Sequence, residues 1–191
     1  MTIDVINPNQ YQTKLWKNGK GQTIELAMNS AGCDEQFDWR ISSATVSEEG
    51  IFSDFSGYHR HMVLIEGYGL TLSHDNGQID QLNIPLDVAS FDGGWQTNSK
   101  LATGTIKNIN LMTNKDSYMA DVQTFVVCQQ QPIKPADLVF VISLADGLAL
   151  SSDDSKANLT QFSLATITHA IEEIIVSGQQ VIVFRLTQIN R

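Results

Sequence analysis

The sequence predicts an all-β protein, a sandwich or barrel of short antiparallel strands. The dominant hydrophobic period is two, glycine- and asparagine-rich turns recur at short intervals, and no long stretch carries a helical stripe. From Asp38 to Val46, Trp39 and Ile41 take one face and Arg40, Ser42 and Ala44 the other. Strands are expected at 60–66, 70–72, 78–84 and 87–91, with turns at Gly67-Tyr68-Gly69 and Asp75-Asn76-Gly77. In the second half the same reading applies to 119–127, 138–144, 158–168 and 180–189. The isoleucine-rich stretch 168–177 fits a short helix or a strand. The segment 129–135, polar and interrupted by Pro132 and Pro135, reads as an exposed loop.

At 191 residues the chain is long enough for one large domain or two small ones, and a fold of this size buries roughly 70% of its unfolded surface. A net charge of −9 with no basic cluster argues against nucleic acid, which needs a basic face. Cys33 and Cys128 have no partner at metal-ligand or redox spacing. The start Met1-Thr2-Ile3-Asp4 has no secretory pattern, and no apolar run reaches membrane-spanning length, so a cytoplasmic protein without membrane contact is expected. Eleven of the thirteen glycines and all three tryptophans precede residue 105, so close turns and large rings concentrate in the first half.

Two of the four arginines, Arg40 and Arg60, lie in strand-like runs beside aromatic residues, within 37–44 and 50–60. A planar cation on a strand, walled by rings, suits a small carboxylate. Arg40 shares a face with Ser42. Either that face lines a barrel mouth, or it is the solvated side of a sandwich.

His59-Arg60-His61, with Glu66 after it, has the spacing of metal ligands in cupin barrels. Such sites need a third histidine on a later strand, and 85–98 contains none. Alternation adds a second objection: His59 and His61 fall on one face and Arg60 on the other, so both sets cannot line one pocket on a regular strand. The missing ligand favours Arg60 pointing inward. No metal site is assigned, and His59, His61 and Glu66 stand as the alternative set, that of a metal-dependent enzyme.

Trp16-Lys17-Asn18-Gly19-Lys20-Gly21-Gln22-Thr23 is a turn whose backbone N–H groups can form an anion nest, or simply a hairpin beside a buried Trp. Asn108 and Asn110 can each present an amide to a ligand, or satisfy backbone groups. No nucleophile-and-base pair stands out. Catalytic residues and cofactors are therefore assigned to none.

These segments in this order resemble the HutD/Ves family. The resemblance runs through 16–23, 37–44, Gly50-Ile51-Phe52-Ser53, 57–60, Leu64-Ile65-Glu66-Gly67-Tyr68-Gly69-Leu70 and Asn110-Leu111-Met112, covering roughly 10 to 115. It implies a bicupin, two packed cupin-like barrels, which we place at 1–115 and 116–191. It implies a non-catalytic binder of a small anionic metabolite, auxiliary or regulatory in histidine breakdown, with formylglutamate, formiminoglutamate or urocanate as ligand. Carried over by position, the ligand site would comprise Trp16, Asn18, Thr23, Arg40, Ser42, Phe52, Ser53, Arg60 and Asn110. The chain departs from the family pattern at Lys20, where a glycine is usual, at Asn108, where an acid is common, and in its His-x-His. Ves members are linked to stress responses, and an edge-strand homodimer is a further expectation.

Overall fold

The computed structural model describes residues 1–15, 22–33, 36–153 and 155–189. Strand β1 (Thr2–Ile6) and a 3-10 turn (Pro8–Gln10) precede β2 (Gln12–Leu15), β3 (Gln22–Cys33), β4 (Gln36–Val46) and β5 (Gly50–Ile51). Then come β6 (Tyr58–Glu66), β7 (Leu70–His74), β8 (Ile79–Leu82), β9 (Val88–Asp92), β10 (Thr97–Leu101) and β11 (Ile106–Asn114). The rest is β12 (Tyr118–Ile133), β13 (Leu138–Ser143), β14 (Leu148–Ser151), β15 (Lys156–Leu159), β16 (Leu164–Thr168) and β17 (Ile174–Gln188). There is no α-helix among the described residues, as the period-two pattern predicts.

The chain forms two compact units, residues 12–117 and residues 1–11 with 118–191. An N-terminal unit over 1–115 is expected from the sequence, but β1 leaves it. Its Thr2 to Ile6 pair antiparallel with Thr168 to Leu164 of β16, so backbone hydrogen bonds tie the first residues to the second unit.

In unit 12–117 a six-stranded sheet runs β2-β3-β4-β11-β6-β9, and a four-stranded sheet runs β5-β10-β7-β8. Their inner faces share one core. Met62 and Leu64 of β6 and Ala89 and Phe91 of β9 pack with Leu70, Leu72 and Leu82 of the smaller sheet. Alternation then decides what else points inward: on β6, Arg60 shares the face of Met62 and Leu64. The β7–β8 hairpin turns at Asp75-Asn76-Gly77, where Gly77 supplies φ +88° and Gly77 N–H donates to the His74 carbonyl at 3.0 Å.

The other unit is a single sheet, β1-β16-β13-β17-β14-β15, with β12 added against β17. Val139, Val141, Ile167, Val176, Val181 and Val183 supply its core. Three expectations change here. The segment 129–135 is strand through Ile133, not a loop. Pro132 is tolerated because, among the described residues, β12 pairs only with β17, a bulge after Cys128 absorbs Gln129 and Gln130, and Pro135 lies beyond the end of the strand. The stretch 158–168 is two strands, broken before Leu164 by Phe162 at φ +61°. Within 168–177 the chain turns, with His169 at φ +55°, and enters β17 at Ile174.

Candidate functional site

Register brings the two arginines together. Met112 of β11 pairs with Arg40 of β4 on one side and with Arg60 of β6 on the other, and Arg60 pairs with Phe91 of β9. Cross-strand partners share a face, so Arg40, Met112, Arg60 and Phe91 form one row across the sheet. The next row is Glu25, Ser42, Asn110 and Met62, and the one beyond is Thr23, Ala44, Asn108 and Leu64. Of the two faces open to Arg40 in the sequence, it takes the one that points toward the core of its unit.

Rings wall both guanidinium groups. Arg40 Cζ lies 4.8 Å from the Phe37 ring centroid and 5.3 Å from that of Phe55. Arg60 Cζ lies 5.1 Å from Phe91, 5.3 Å from Phe52 and 5.6 Å from Phe55. Electron-rich ring faces attract a cation, but they do not neutralise it.

Among the described residues no ion pair joins either arginine to a carboxylate. Arg60 is 6% exposed. Burial pushes its pKa down to about 10, and the positive charge of Arg40 adds to the effect. Burial also lowers the pKa of Arg40, with Glu25 and Tyr58 pulling the other way. Glu25 itself is bonded to Lys14 at 3.2 Å. The Nε atoms of Arg40 and Arg60 are buried without a hydrogen-bond partner.

A short amide relay leaves Arg60. Its Nη2 donates to Asn110 Oδ1 at 3.1 Å, and Asn110 Nδ2 donates to Asn108 Oδ1 at 2.5 Å. The direction is fixed by chemistry. A guanidinium only donates, so the oxygen of Asn110 must face it and its NH2 must face the oxygen of Asn108. The Asn108 Nδ2 is then left buried with no partner. The inner face therefore offers unsatisfied donors at three side chains, which is the chemistry of an anion site.

Of the residues expected here, the structure brings together Arg40, Ser42, Arg60, Asn110 and Phe52. Ser42 is buried as the register partner of Asn110. Thr23 is half-buried two strands from Asn108 in the same row. Ser53 is exposed, and no hydrogen bond among the described residues joins it to either arginine. Trp16 and Asn18 lie outside the described residues. Phe37, Phe55 and Phe91 belong to the cluster although they are absent from the expected set, and so does Asn108, which the sequence offers beside Asn110 as a ligand amide but which the set carried over by position omits. Phe37 and Phe55 flank the arginines in sequence, whereas the contact of Phe91 depends on strand pairing that no single segment displays.

The alternative metal set is not assembled. His61 is buried on the opposite face of β6, with Nδ1 2.7 Å from Ser90 Oγ, and the His59 ring meets it edge-on at 4.8 Å. A bulge near Ile65 turns Glu66 onto that face, yet its register partner is Lys107 while that of His61 is Leu111. That is a separation of about 13 Å along β11, and Glu66 is held by Lys107 at 2.6 Å.

The HutD family model matches residues 8–184. The chain belongs to the HutD family. It is 35% identical over 123 residues to an uncharacterised 21.2 kDa protein of the hutC 3′ region in Pseudomonas putida, a match covering 64% of each chain. It is 31% identical over 110 residues to protein Ves of Citrobacter koseri, covering 57% of this chain and 56% of that one. Each match thus spans less than two thirds of the curated relative. HutD from Pseudomonas fluorescens SBW25, in a formate condition, aligns with a TM-score of 0.84 at 31% identity, over 99% of this chain and 100% of that one. A bacterial pirin from Escherichia coli, in complex with nickel(II), aligns at 0.65 and 11% identity over 98% and 100%, a likeness of fold alone. This HutD-family chain accordingly has a cupin-type all-β fold.

Proposed function

We propose that this protein binds a small carboxylate at Arg40 and Arg60 without transforming it, as an auxiliary or regulatory component of histidine breakdown. One observation carries the reading: both guanidinium groups stand over the Phe55 ring, with no carboxylate of the described residues paired to either. Two like charges drawn from water in one aromatic setting cost free energy unless an anion joins them. A carboxylate accepts from the fork of each arginine and relieves that cost.

The carboxylate on the neighbouring row, Glu25, is held by Lys14, and the groups nearest this point are cations, amides and rings. They hold and orient an anion, and at neutral pH the arginines have no proton to accept. The relative named for the hutC 3′ region supports histidine breakdown as the setting. Formylglutamate, formiminoglutamate and urocanate each carry the required carboxylate.

Isothermal titration with these three acids tests the reading. Binding to the parent is expected, with Arg40→Ala and Arg60→Ala each weakening it by about tenfold to a hundredfold, the scale of a lost charge-assisted contact. Equal affinity for parent and variants overturns it.

A further inference from the structure

We infer that Asn108 selects the ligand, by donating its amide N–H to a second acceptor on an anion whose carboxylate rests on Arg40 and Arg60. The inference rests on the carboxylate reading above and adds the shape of the ligand to it. Asn108 is 1% exposed, and its NH2 has no partner. An NH2 buried in that state costs about as much as a lost hydrogen bond, so the position is poised for an acceptor. The relay from Arg60 through Asn110 holds the Asn108 oxygen toward Asn110, so the NH2 is the end of the amide turned away from Asn110.

Spacing then defines the ligand class. Arg60 is bonded at the Asn110 row, and Asn108 lies one row further on the same face, about 7 Å along β11. A ligand that meets both carries a carboxylate at one end and another oxygen acceptor a few bonds away. A dicarboxylate of four or five carbons meets this description, as does a monocarboxylate with a carbonyl at the far end. A simple alkyl acid leaves the Asn108 NH2 unsatisfied, and a site built for a hydrogen bond rejects the analogue lacking it.

Glutarate and pentanoate make the test, since they share a carbon count and differ in the second carboxylate. The parent is expected to favour glutarate by about tenfold or more in titration calorimetry. Asn108→Asp keeps the oxygen that Asn110 needs and replaces the donor by an acceptor. It is expected to abolish the glutarate preference, and because its added negative charge weakens both acids, the ratio of the two affinities is the quantity read. Asn108→Leu removes donor and acceptor at similar volume and is expected to level the two acids as well. If one variant fails to fold, the ratio in the other decides. Equal affinity of the parent for both acids, or a preference that survives both substitutions, overturns the role of Asn108. Where that happens while Arg40→Ala still loses pentanoate, the carboxylate reading stands without it. A parent that binds no carboxylate overturns both.

Discussion

Arg40 and Arg60 share a ring: their guanidinium carbons lie 5.3 and 5.6 Å from the centroid of Phe55. Each destabilises the charge of the other in the unliganded protein, so function and stability should trade against each other here. Arg40→Met keeps much of the apolar stem that packs on Phe37 and removes the repulsion. The variant should be as stable as the parent or gain about 1 kcal/mol, while losing carboxylate binding. Thermal unfolding and calorimetry on one sample check both halves. A clear loss of stability would mean that Arg40 is needed for packing.

The Arg60 guanidinium, with its pKa near 10, predicts a pH dependence. A base whose folded pKa lies below its unfolded value binds fewer protons when folded. Its burial therefore opposes folding in full below about pH 10, and the penalty is relieved as pH rises from there toward the ordinary arginine value. A bound anion favours the charged form and shifts this pKa upward. Carboxylate affinity should hold steady from neutral pH to about 9 and weaken as pH passes 10. Titration of affinity against pH checks it, and an affinity still constant above pH 10 would place the anion elsewhere.

Phe55 is set by a backbone contact that only glycine permits. Phe55 N–H donates to the Gly93 carbonyl at 2.9 Å, and a Cβ added at Gly93 would stand 2.7 Å from the Phe55 carbonyl oxygen. Gly93→Ala must push the Phe55 segment away, since backbone is the obstacle. Carboxylate affinity should fall severalfold through the displaced ring, with a destabilisation of about 1–3 kcal/mol. Calorimetry and thermal unfolding measure the two effects. Unchanged affinity would show that the ring only lines the arginines.

Much of this fold can be read from alternation. The run 38–46 places Arg40 and Ser42 opposite Trp39 and Ile41, and β4 obeys it. The parity of β6 separates Arg60 from His59 and His61, and the structure keeps them on opposite faces. Alternation fails where the chain adds a residue. The bulges near Ile65 and after Cys128 change faces or extend a strand, and neither leaves a composition signal. The site is harder to read than the strands because it is a property of register. Phe91 and Asn110 reach Arg60 only after β9 and β11 have found β6. No single segment carries that pairing. The passage of β1 into the second unit is equally a long-range pairing, with Thr2 opposite Thr168.

Asn110 provides a test in which stability and binding move in opposite directions. Its oxygen already accepts from Arg60 Nη2 at 3.1 Å, so Asn110→Asp places a negative charge against an arginine that no carboxylate of the described residues pairs. The substitution also removes the NH2 that donates to Asn108 Oδ1. Rotation of the Asn108 amide repairs this, because its unpartnered NH2 can turn and donate to the new carboxylate. The Asn108 NH2 then gains an acceptor in exchange for the donor that its oxygen loses, and Arg60 gains a negatively charged partner from within the chain. The variant should unfold at higher temperature, by an amount matching about 1–3 kcal/mol, and bind external carboxylates at least tenfold more weakly. Asn110→Leu should do the reverse to stability, leaving Arg60 Nη2 without its acceptor and costing about 2–3 kcal/mol. Paired melting curves and titrations of the two variants decide it. If Asn110→Asp is the less stable of the two, the cost of burying another charged group exceeds the attraction, and the cationic cluster does not govern the energetics of this site.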